Sequence, residues 1–133
     1  MPGYYDIGTS SVQMQPYVDV EGSGENTTII TGHIDSNASG VVQGANNAEI
    51  RFLTVQNTGG GSCAIAIYNT SASPKITNVT ASASGGTGSH NRGVYNDFSS
   101  PTMTNVVASA SGGKQQTLES LVRMVVRYGS AIR

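Results

Sequence analysis

The chain repeats itself. Residues 67–86, IYNTSASPKITNVTASASGG, return 27 positions later as residues 94–113, VYNDFSSPTMTNVVASASGG, and thirteen of the twenty positions are identical. A period in the twenties marks one supersecondary unit that cannot bury its own apolar face and must stack on its neighbour. A weaker copy lies upstream at a spacing of 26, where residues 50–60 align without gaps on residues 76–86. The columns this produces are chemically uniform: Ile50/Ile76/Met103, Leu53/Val79/Val106, Val55/Ala81/Ala108 and Val41/Ile67/Val94. Uniform columns are what the core of a stacked coil looks like when read down its axis.

Residue type decides which coil. A helical repeat needs ten or more residues with apolar spacing of three and four, and few glycines. Here the runs are short. Val79, Ala81 and Ala83 alternate and share one face of a strand. Ile76 breaks that alternation by one residue, which places a corner at Thr77-Asn78, where asparagine tolerates bent and left-handed backbone. Ser73-Pro74 and Gly85-Gly86 mark further turns. The expectation is an all-β fold, a short right-handed parallel β-helix of about five coils over residues 1–113, each coil resting on the next at about 4.8 Å. Asn69/Asn96 and Asn78/Asn105 then fall in register. Inward-pointing, they form amide ladders; outward-pointing, they are ordinary turn asparagines. Tyr68 and Tyr95 are expected to stack along one face.

The 133 residues suit one domain, and charge is sparse at 11% with a net of −1, so no polyanion partner, nucleic acid included, is implied. No stretch is long and apolar enough for membrane insertion, and no charged-then-apolar leader opens the sequence. As it stands the chain reads as cytoplasmic; as a piece of a longer surface protein it would be extracellular. The lone Cys63, beside Ala64-Ile-Ala-Ile, reads as a small buried hydrophobe. Asn26, Asn37, Asn69 and Asn78 open Asn-x-Ser/Thr triplets, as composition alone would produce in so Asn-, Ser- and Thr-rich a chain.

The opening resembles a known family. Pro2-Gly-Tyr-Tyr-Asp6, followed by residues 18–32, VDVEGSGENTTIITG, is similar to the first coils of pectinesterases and other pectin-lyase-like β-helix proteins. The later Tyr-Asn, Ser-Pro and Thr-Asn-Val elements resemble repeats of bacterial β-helix proteins of mostly unassigned role. The resemblance spans residues 2–113 and implies the fold and a polysaccharide ligand. It supplies no catalytic set: the Gly-x-Val-Asp-Phe-x-Phe-Gly strand of pectinesterases is absent, as are the clustered acids of pectate lyases and polygalacturonases. Asp19 and Glu21 share a strand face and could in principle act as a carboxylate pair; two solvated acids explain them equally well.

After Gly113 the pattern changes. Leu118, Leu121, Val122 and Val125 stand at helical spacing, Thr117 is a plausible N-cap, and Gly129 a plausible stop. Residues 114–133 are therefore expected to form an α-helix that caps the last coil or pairs with another copy, with a dimer favoured; the competing reading is a partner or membrane-surface helix, since four of the seven basic residues, Lys114, Arg123, Arg127 and Arg133, stand here beside the apolar stripe. An uncovered coil end is an aggregation template.

Few sites for chemistry are left. Gly22-Ser-Gly24 lacks the lysine and helix of a phosphate loop. His33 and His90 lie far apart with no second ligand at metal spacing, so no metal and no cofactor is assigned. The sequence points to a non-enzymatic, self-associating structural or interaction module, with carbohydrate binding through Tyr68, Tyr95, Asp19 and Glu21 as the alternative.

Overall fold

The computed structural model describes residues 2–88, 90–112 and the short strand at 125–126. The described chain is all-β, a parallel β-solenoid of about four turns. Its strands are β1 (Gly3–Asp6), β2 (Val12–Gln13), β3 (Val20–Glu21), β4 (Thr28–Gly32), β5 (Val42–Gln43), β6 (Glu49–Asn57), β7 (Cys63–Thr70), β8 (Lys75–Ala83), β9 (His90–Asp97), β10 (Thr102–Ala110) and β11 (Val125–Val126). One sheet runs β2-β5-β7-β9, and the other runs β1-β4-β6-β8-β10-β11 with β3 also on β6.

The second sheet is bent, and the bend has a residue-level cause. Phe52, Asn78 and Asn105 occupy one column and all have left-handed backbone, with φ of 59°, 50° and 52°. Each interrupts the alternation of its strand, so Ile50 and Leu53, Ile76 and Val79, and Met103 and Val106 all turn inward. β6, β8 and β10 thus carry two faces each. β3 pairs with the first half of β6, and β4 with the second. Together with the β2-β5-β7-β9 sheet, every turn has three extended runs.

Register follows the repeat. Ile50 sits on Ile76 and Ile76 on Met103; Leu53, Val79 and Val106 follow, then Val55, Ala81 and Ala108. These side chains are nearly inaccessible to water and form one continuous core with Val42, Ile67 and Val94. One column differs from the gapless alignment, because Val42, not Val41, lies opposite Ile67. The turn from Asn69 to Lys75 holds one residue more than the turn from Gly44 to Glu49, and Ser71 at φ 50° takes up the surplus.

The number of turns is also lower than the sequence spacing suggests. Gly3 rests on Thr28, Ile29 on Thr54, Thr54 on Thr80 and Thr80 on Val107, so residues 2–112 fill about four turns. No helix occurs among the described residues. Leu118, Leu121 and Val122 lie outside them, while Val125 belongs to β11, which pairs antiparallel with Val106 and Val107 at the outer edge of β10. At Val125 the backbone is extended where a helix was expected.

Candidate functional site

The acidic patch is built around one arginine. β3 on β6 brings Glu21 beside Arg51, and the turn before β3 delivers Asp19. Arg51 contacts Asp19 Oδ2 at 3.2 Å, Glu21 Oε2 at 3.3 Å and Glu49 Oε1 at 2.7 Å. Asp19 Oδ1 also accepts the Glu49 N–H at 3.0 Å, and Glu49 Oε2 accepts the Thr77 hydroxyl at 2.7 Å. Hydrogen bonding to Glu21, then to Asp19, raises the Arg51 pKa above its ordinary value. Asp19 and Glu21 are thus brought together, but each is engaged by the same cation. Pairing across three consecutive turns makes the group a clamp holding the first coil to the second and third. Beside it runs an open groove of about 460 Å³ between Asp19, Glu49, Ser73, Pro74, Lys75 and Thr102.

Tyr68 and Tyr95 are partners in register, with ring centroids 5.5 Å apart and planes tilted by 32°. Tyr68 is only 7% exposed, and the Arg92 guanidinium lies 4.2 Å from the centre of the Tyr95 ring. The pair is packed between its neighbours, and Tyr95 carries a cation on its face.

The asparagines divide by position. Asn69 Nδ2 donates to Asn96 Oδ1 at 2.8 Å, a rung of an amide ladder inside the third run. Directly below, the column holds Gly44, where any side chain would overlap Asn69 Oδ1. Asn78 and Asn105 instead sit at the left-handed corner, with Asn105 exposed to solvent. Two buried asparagines escaped sequence reasoning. Asn57 Oδ1 accepts from Ile34 N and Gly59 N, and its Nδ2 donates to Ile34 O and Ile65 O, all at 2.9–3.0 Å. Asn91 Nδ2 donates to Gly86 O and Ser111 O. Both precede or follow a glycine turn, which is the signal that marks them. The Arg51 clamp was likewise legible once Val20-Glu21 is laid on Ile50-Arg51.

Cys63 is buried and free. Among the described residues, no three His, Cys, Asp or Glu side chains converge as metal ligands.

The N-terminal end of the stack is different in kind. β1 pairs only with β4, β2 only with β5, and β3 only with β6. Their outer edges therefore present unpaired backbone groups among the described residues. Between them opens an apolar cavity of about 270 Å³, lined chiefly by Tyr5, Ile7, Val12, Val20, Ile30 and Leu53. Among the described residues, the core is thus reached through this cavity.

Among the described residues, fold and site together define a parallel β-solenoid with an apolar cavity at its first turn. Comparison with models of protein families, with curated proteins and with solved structures finds no match to this chain.

Proposed function

We propose that the protein is a non-enzymatic β-solenoid module whose work is self-association. The observation that carries this reading is the N-terminal end, where the aliphatic interior opens to solvent between three strand edges. Apolar surface and unpaired edges at one place favour burial against another chain. The acids nearest each other, Asp19, Glu21 and Glu49, are committed to Arg51, which leaves no carboxylate pair poised for acid–base work at that patch. Light scattering on the full chain tests it. A mass above one chain at micromolar concentration is expected; a strict monomer at high micromolar concentration overturns it.

A second reading rests on the groove beside Asp19 and on the pectinesterase-like opening. An open, polar trough with Lys75 and two carboxylates on its walls suits the hydroxyl groups of a polysaccharide. The pectin-lyase-like family would then supply the ligand class, with the Tyr68/Tyr95 stack on the neighbouring run. A glycan array shows binding if this holds, reduced by Lys75→Ala and by Tyr68→Ala/Tyr95→Ala; an empty array removes it.

A further inference from the structure

The two most exposed large apolar side chains among the described residues are Tyr17, 83% exposed, and Phe98, 90% exposed. Both have left-handed backbone, with φ of 66° and 51°. An aromatic residue suits such a place badly on two counts, since its Cβ crowds the left-handed backbone and its ring gains no burial. Folding alone does not account for either ring, and strain kept at an exposed position points to use. Tyr17 lies between β2 and β3, and Phe98 between β9 and β10, at the same bend of the coil.

The open groove follows that bend. Tyr17 N–H donates to Asn47 O at 2.8 Å, and Asn47 Nδ2 to the Tyr17 hydroxyl at 3.4 Å. Ser73 N–H donates to Asn46 Oδ1 at 2.7 Å, and Ser100 N–H to Ser73 Oγ at 2.9 Å. Three strand spacings, about 14 Å, thus separate the level of Tyr17 from that of Phe98. Asn47, Ser73 and Lys75 of the groove occupy the levels between. Arg51 holds the Asp19 and Glu49 carboxylates in place, and each keeps acceptor capacity for a further hydrogen bond. A pyranose ring answers both kinds of surface. Its C–H groups carry partial positive charge and fit the negative face of an aromatic ring, while the hydroxyls at its edge suit carboxylate and lysine. The same carboxylates repel a polyanion, so the fitting chain is neutral. We infer that Tyr17 and Phe98 are stacking platforms for a neutral, extended glycan that runs along the groove between them. The inference rests on the polysaccharide reading of that groove and moves its aromatic contacts away from Tyr68, which is buried.

The full chain on an array of xylan, cellulose and chitin fragments tests it, with proline-rich peptides printed beside them. Retention on at least one glycan is expected, with affinity read by calorimetric titration of the best-retained fragment. Tyr17→Asn and Phe98→Asn introduce a residue that tolerates left-handed backbone, so urea midpoints at or above the parent's show that both fold. Each should bind about tenfold more weakly, while Tyr17→Phe and Phe98→Tyr keep the ring and the affinity. Binding that survives both asparagine variants but is lost in Lys75→Ala overturns the platforms and leaves the groove reading standing. Loss in the ring-keeping variants overturns the platforms as well. Retention on the peptides alone overturns the ligand class, and an array bare throughout ends both readings.

Discussion

At the scale of single residues, polar side chains inside this coil do what aliphatic ones cannot. Asn57 is 1% exposed and uses both its donors and both its acceptor positions on backbone groups of three other residues. Asn57→Ala leaves buried N–H and C=O groups unanswered, and should cost about 3 kcal/mol in denaturant unfolding. Gly85 is held at φ 82°, with the Thr58 carbonyl standing where a Cβ would go, so Gly85→Ala meets both strain and overlap and should cost about 2 kcal/mol or more. The opposite sign is expected at Phe98. It is 90% exposed at φ 51°, a conformation that an aromatic side chain gains nothing from here. Phe98→Asn should raise stability by about 1 kcal/mol, measured by the urea midpoint. Gly85 was marked as a turn by the Gly85-Gly86 pair, but Asn57 did not stand out in the sequence, because a turn asparagine and a buried asparagine have the same neighbours. Only the fold says which way the amide points.

At the scale of the element, the corner within β6, β8 and β10 was legible in one pair and hidden in the third. Asn78 and Asn105 announce it, since apolar residues flank each on both sides at spacings that straight strand cannot satisfy. Phe52 makes the same corner with a residue that disfavours it, and its sequence gives no such hint. Leu53, just past that corner and 1% exposed, anchors the second run; Leu53→Ala should cost about 3 kcal/mol. The Arg51 clamp acts between elements rather than within one. Arg51→Gln should lower the melting temperature and release β3 first, seen as faster amide exchange at Gly22 N–H, which donates to Arg51 O. Added salt should narrow the gap between variant and parent, since the substitution removes ion pairs that salt screens.

At the scale of the molecule, the strands of each turn pair only with the turns beside it, the Glu25 carboxylate that accepts the Thr80 hydroxyl reaching one turn further, so protection should fall from the middle outward. Amides of β6, β7 and β8 are expected to exchange slowest and those of β1, β2 and β3 fastest, with association slowing the latter. Parallel stacking and the aliphatic columns could be read from the repeat, because a period of 26 or 27 admits little else with residues this short and β-branched. The turn count could not, because the upstream copies are too diverged to align and the described residues hold about four turns. Variation in coil length has a consequence of its own. Val12 meets Val42 after thirty residues and Val42 meets Ile67 after twenty-five, yet strand meets strand without slippage. Surplus chain is shed outward at the bends. A foreign loop grafted at Asn26-Thr27, exposed residues in the surplus chain between β3 and β4, should therefore ride on the outside like a branch on a mast. One residue added within β8 would turn its downstream side chains inside out.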